Sequence, residues 1–270
     1  MNYCITIGTE DAFSEALVVF RGLKNLRTIA ELGYDGIELA LFDKANIEVD
    51  KVKRLLVQYQ LKLPVISTGQ VFTMRQAWFT HPDPEIRRKA VQIVKGLIEV
   101  AAEFGAAVNI SRVRGYIHEG DSYHEAIHRL TGCLDELCAY AAKFDLNLVL
   151  EQMNRYETNY FHSVAEVGEY IKGAQIPNLK IHADLFHMNI EDVGLTETIK
   201  KYQAILGYIH FADSNRLAPG LGNIDFATIM KILDEVGYQG WIGLEVSPKP
   251  DPYCAAKQSI EFLRKVERSF

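Results

Sequence analysis

Positive charge is in deficit. Against 35 Asp and Glu the chain carries 29 Lys and Arg, a formal charge of −6, which disfavours any partner that must be gripped by a broad cationic face; nucleic acid is not expected. Cysteine is scarce as well. Cys4, Cys133, Cys138 and Cys254 are spaced neither as a CxxC redox pair nor as a zinc ribbon, and 270 residues bury a core large enough to need no covalent staples. They read as reduced thiols of a cytoplasmic protein. No uncharged apolar run approaches the ~20 residues needed to span a bilayer, so no membrane partner is expected. The opening Met1-Asn2-Tyr3-Cys4-Ile5-Thr6-Ile7-Gly8 has no Lys or Arg before Arg21 and no apolar signal core, and reads as a buried strand. No GxGxxG follows it, which argues against a dinucleotide fold. Linkers, low-complexity tracts and charge blocks are missing too, so residues 1–270 are expected to form one domain.

What is there is an alternation. Short apolar runs at 3–8, 36–40, 62–67, 107–111, 147–151, 179–184, 207–212 and 241–246 are each followed by a stretch with helical spacing, as in Ile86, Ala90, Ile93, Val94, Leu97, Ile98 and Ala101. Runs flanked by charge suit strands covered on both faces. Eight βα units predict a (β/α)8 barrel, with an open doubly wound sheet as the alternative. An internal echo favours closure: Gly33-Tyr34-Asp35-Gly36-Ile37-Glu38-Leu39 resembles Gly237-Tyr238-Gln239-Gly240-Trp241 and its continuation to Leu244-Glu245. Two long connections, 68–83 and 213–224, leave the C-terminal ends of the third and seventh strands, where barrels build their sites.

The last positions of four consecutive strands are polar: Glu151, Asp184, His210 and Glu245. Each alone has an ordinary reading, a helix-capping carboxylate or a core histidine. Together at one barrel mouth they would repel one another unless a cation sat between them. Three oxygen donors and one nitrogen suit one divalent metal ion, Mn²⁺ or Mg²⁺ first, with Co²⁺ and Zn²⁺ admissible; the lack of thiolate argues against structural zinc.

These residues sit in longer motifs. Glu151-Gln152-Met153-Asn154-Arg155-Tyr156-Glu157, Asp184-Leu185-Phe186-His187-Met188-Asn189, and His210-Phe211-Ala212-Asp213-Ser214-Asn215-Arg216 with Pro219-Gly220-Leu221-Gly222 resemble the sugar-phosphate isomerase/epimerase-like barrels, in particular the ketose 3-epimerases. Leu185 departs from the Thr common there. The resemblance covers the C-terminal half. It implies Glu151, Asp184, His210 and Glu245 as ligands of a divalent metal, usually Mn²⁺ or Co²⁺, and Glu157, His187 and Arg216 as contacts to the ketose C1 and C2 oxygens. It also implies a homodimer or homotetramer.

Epimerisation at C3 needs a proton removed from one face and returned to the other, through a metal-stabilised cis-enediolate. The fifth and eighth strands lie apart in the ring, so Glu151 and Glu245 are the candidate acid/base pair. Arg112 and Arg114, after the fourth strand, either pair with a substrate carboxylate or phosphate or are solvated loop arginines. In the first case a keto sugar acid, such as a 5-keto-gluconate-like molecule, joins neutral ketoses as the expected small-molecule substrate. Phe72, Trp78 and Phe79 are candidates to cover the sugar's apolar face or a subunit contact. Aldose–ketose isomerase, hydroxypyruvate isomerase and inosose dehydratase would use the same ligands. An endonuclease IV-type hydrolase would need more histidines than these eight, and a cationic surface.

Overall fold

The computed structural model describes residues 1–269. Its centre is eight parallel strands: β1 (Asn2–Gly8), β2 (Gly36–Ala40), β3 (Lys62–Ser67), β4 (Ala107–Ile110), β5 (Leu148–Glu151), β6 (Leu179–Asp184), β7 (Leu206–Phe211) and β8 (Trp241–Leu244). Each pairs with the next, and β8 pairs back onto β1 from Asn2↔Trp241 to Ile5↔Leu244. The sheet therefore closes into a (β/α)8 barrel, and the open alternative falls away. The expected strand limits agree with those observed to within two residues.

The two-residue period of a strand decides what fills the lumen. Cys4, Val65, Val149 and Tyr208 pack there as a small cluster, with Ala107 and Trp241 against it. Two residues further along the same strands stand Thr6, Ser67, Asn109, Glu151, His210 and Gly243. The lumen thus changes from an apolar plug to a polar ring in one step toward the strand C-termini. The alternate residues, Ile5, Ile37, Leu39, Val108, Leu148, Leu150, Ile181 and Ile209 among them, face outward into a continuous core with the helices.

The helices start and stop on local signals. Helix Pro84–Ala102 opens with proline in its first turn and Asp83 accepting the Glu85 N–H; it buries Ala90, Val94, Leu97, Ile98 and Ala101. Helix Tyr123–Ala141 opens with a reciprocal capping box between Ser122 and Glu125. No helix of the described residues is long and apolar enough to cross a membrane.

Three details shape the mouth. Pairing of β8 with β1 ends at Leu244↔Ile5, and the two-residue strand Phe20–Arg21 takes up Ile7 and Gly8 instead, freeing the chain at Glu245 to turn over the opening. The 68–83 connection is not a plain loop: it contains the helix Gly69–Arg75. The 213–224 connection is knitted by buried Asp213, whose carboxylate accepts the N–H groups of Ser214, Gly220 and Ile224 at 2.8, 2.8 and 3.1 Å.

Candidate metal centre and substrate cavity

Glu151, Asp184, His210 and Glu245 converge. One ligand atom from each lies within 4.8 Å of all the others. His210 Nδ1 is the centre of the group, 3.5 Å from Asp184 Oδ2, 3.8 Å from Glu245 Oε2 and 3.9 Å from Glu151 Oε1. All are buried except Glu245, whose side chain keeps 19% of its surface.

Neighbouring groups hold two of the donors in place. Glu151 Oε2 accepts from Asn109 Nδ2 at 3.2 Å. Asp184 Oδ1 accepts the Phe186 and His187 N–H groups, capping the helix Leu185–Glu191, which turns Oδ2 to the cluster. Gln152 clamps β5 to β6 by donating to the Asp184 carbonyl at 2.9 Å and accepting its N–H at 3.3 Å.

The electrostatics follow from crowding like charges out of water. Burial, followed by the Glu245 charge, pushes Glu151 well above the usual carboxylate range. Burial also raises Glu245 to about 7 against the pull of Arg216 and His210. Asp184 goes the other way: burial opposes its charge, but Arg216, His187 and His210 outweigh it and hold its carboxyl well below normal. Burial likewise opposes charge on His210, yet Glu38 and Glu245 hold its pKa well above the usual value.

His210 Nδ1 is buried without a hydrogen-bond partner, and Asp184 Oδ2 has the Arg216 guanidinium beside it, 3.1 Å away. A buried, unpartnered ring nitrogen facing three carboxylates fits a divalent cation. This is the donor chemistry expected from the strand ends.

A cavity of about 240 Å³ opens onto the cluster. Glu151, Glu157, His187, Arg216, Glu245 and Arg112 all line it. Arg216 ion-pairs with Asp184 at 3.1 Å and with Glu245, and lies over the Phe186 ring. It reaches this position from a left-handed backbone, φ 61°, fixed by Arg216 N–H to Asp213 O and by Ser247 N–H to Arg216 O. Asn154 donates both its backbone and side-chain N–H to His187 Nδ1, at 3.3 and 2.7 Å, so the neutral ring carries its proton on Nε2. Burial depresses His187 to about 4.

Two expectations are corrected. Arg114 does not line the cavity: it is fully buried, its guanidinium 4.8 Å from the Tyr160 ring and under the Phe161 carbonyl. Nor do Phe72, Trp78 or Phe79 line it. Phe79 is core, whereas Phe72 and Trp78 cluster with Tyr116. The reading also missed contributors. Phe13 and Glu15 to Val18, after β1, form one wall. Buried Glu38 and His182 adjoin the donors, Glu38 2.7 Å from His210 and His182 3.8 Å from Glu151. A signal was available for Glu38, the one charged side chain in the apolar strand Gly36–Ala40; His182 shares its strand with Lys180 and Asp184 and stands out less.

Comparison with known proteins agrees with the barrel fold. The L-ribulose 3-epimerase of Methylomonas sp. (strain DH-1) is 31% identical over 228 residues, 82% of this chain and 77% of that protein. The 3-dehydro-D-guloside 4-epimerase of Escherichia coli (strain K12) is 25% identical over 256 residues, 90% of this chain and 94% of that one. The crystal structure of D-allulose 3-epimerase from Methylomonas sp. in complex with D-allulose superposes with a TM-score of 0.80 at 26% identity, covering 98% of both chains. The model of the xylose isomerase-like TIM barrel family matches residues 26–266. The chain belongs to that family, and its relatives include sugar 3- and 4-epimerases.

Proposed function

We propose that this protein is a divalent-metal-dependent epimerase that inverts C3 of a ketose or keto sugar acid. The observation that carries the reading is the ring of four donor atoms at the mouth ends of β5, β6, β7 and β8, opening on a cavity of small-molecule size. Glu151, Asp184, His210 and Glu245 would hold the ion, Mn²⁺ first, with Co²⁺, Mg²⁺ or Zn²⁺ as substitutes. Bound there, it supplies Lewis-acid stabilisation of the negative charge that builds on the substrate's C2 and C3 oxygens.

The chain's own residues do the rest. Glu151 and Glu245 are the outermost of the four donors, three strands apart in the ring, so one removes the C3 proton and the other returns a proton to the opposite face. Burial raises the proton affinity of both carboxylates, and a cation held between them would lower it again, so the two effects oppose each other at the acid/base pair. His187 donates from Nε2 and Glu157 accepts at the C1–C2 end. Arg216 fixes a substrate oxygen. Arg112 is exposed at the mouth and has no carboxylate within ion-pair distance among the described residues, which supports an acidic substituent at the outer end of the substrate. A homodimer or homotetramer is part of this proposal.

The E. coli relative supports a second reading, inversion at C4 of a 3-keto sugar with the same acid/base pair. One experiment separates them. The Mn²⁺-loaded protein is incubated in D₂O with ketohexoses, ketopentoses, keto acids and a 3-keto glycoside, and each carbon-bound proton is followed by NMR. Exchange at C3 of a 2-keto substrate is expected, and Glu245→Gln is expected to abolish it with the fold intact. Exchange confined to C4 supports the second reading, and exchange at a normal rate in the variant removes Glu245 from the reaction.

A further inference from the structure

Behind the donor cluster, on the side away from the cavity, lies a hydrogen-bonded chain that the reaction above does not use. Glu38 projects from β2 and is fully buried. Its Oε2 accepts from His210 Nε2 at 2.7 Å and from Tyr208 Oη at 2.6 Å. Tyr208 Oη is in turn 3.1 Å from Cys4 Sγ on β1. No Lys or Arg of the described residues ion-pairs with Glu38; its partners among them are the His210 ring and the Tyr208 hydroxyl.

A fully buried carboxylate without Lys or Arg is expensive to keep unless its hydrogen bonds are worth more than the desolvation they offset. Here the bonds do something specific. Because His210 Nε2 donates to Glu38, the proton of the neutral ring is fixed on Nε2. The lone pair is left on Nδ1, the atom 3.5 to 3.9 Å from the other donors. The barrel also makes room for this chain. A Cβ on Gly243 of β8 would lie 1.9 Å from Tyr208 Oη and 2.8 Å from His210 Cδ2, so a side chain there would displace both.

We propose that Glu38 is a positioning residue: steadied by Tyr208, it selects the His210 tautomer and ring orientation that present Nδ1 to the divalent ion. This rests on the reading above that His210 is a metal ligand. Outer carboxylate partners of metal-bound histidines typically change metal affinity by about 10- to 100-fold when removed.

The test is metal binding, not turnover. Mn²⁺ affinity is measured by the electron paramagnetic resonance signal of the free ion in wild type, Glu38→Gln, Tyr208→Phe and His210→Gln, with circular dichroism as the check on folding. Glu38→Gln is expected to weaken Mn²⁺ by about 10- to 100-fold, Tyr208→Phe by less and in the same direction, and His210→Gln by the most. Should Glu38→Gln fail to fold, Tyr208→Phe and the wild type decide. Two-bond ¹H–¹⁵N spectra of the Zn²⁺-loaded wild type are expected to show His210 protonated at Nε2 only. Wild-type affinity in both the Glu38 and Tyr208 variants, with binding lost in His210→Gln, overturns the role of Glu38 and leaves the metal reading standing. Wild-type affinity in His210→Gln overturns both, and a His210 protonated at Nδ1 instead overturns the positioning role.

Discussion

Asp184 divides its two oxygens between two tasks. One caps the helix Leu185–Glu191 and the other faces His210, so the ordinary and the functional reading of a strand-end carboxylate are both true of it. Such double duty makes a site residue structural as well, and His187 shows a measurable consequence. Burial holds it at about 4 against the usual 6.5. Between those values the unfolded imidazole takes up a proton that the folded one refuses. Its contribution to stability is full above the unfolded value and is lost as pH falls to about 4, at most about 3 kcal/mol at ~1.4 kcal/mol per tenfold change in proton affinity. His187→Asn is therefore expected to flatten the dependence of Tm on pH over that interval, while an unchanged slope would assign the acid sensitivity to another group. Side-chain direction is where single residues stop being legible. Arg112 and Arg114 are two apart in one 3₁₀ turn, Arg112–Arg114, and point apart, one to the mouth and one into the core. Sequence position offers no way to choose between them, because the turn's orientation is set by what it packs on.

Elements were more legible than residues. The strands could be placed because an apolar run with charged flanks is a local property, and their ends could be placed because the apolar run stops there. The connections could not be read so well. Residues 68–83 hold a short helix with little amphipathic signal, and the aromatic residues near its end pack on Tyr116 instead of covering the cavity. The 213–224 connection is different, since one buried carboxylate organises it. Asp213→Ala would leave the N–H groups of Ser214, Gly220 and Ile224 without that acceptor. A loss of roughly 2–3 kcal/mol in urea unfolding is expected, together with a raised KM, since Arg216 rides on this loop. A stability loss with unchanged KM would show that Arg216 keeps its place without the Asp213 scaffold.

At the scale of the whole molecule, the four donors tie together the ends of β5, β6, β7 and β8, half of the barrel. An ion bound there and absent from the unfolded chain must stabilise the fold. At a hundredfold excess over Kd the gain is about 2.7 kcal/mol. Removing divalent ions with a chelator is expected to lower Tm and adding Mn²⁺ to restore it, with no such response in Glu151→Gln; a Tm indifferent to metal in wild type would count against the centre. The sequence by itself determined the eight-fold alternation and the polar ends of four strands, because period, flanking charge and strand length are properties of neighbours along the chain. Only closure of the barrel decided that Glu38 of β2 stands behind His210 of β7, that Arg216 turns onto Asp184 and Glu245, and that Arg114 is buried away from the cavity. These are contacts between residues up to 172 positions apart, and they exist only once β8 has found β1 and the lumen has taken its shape.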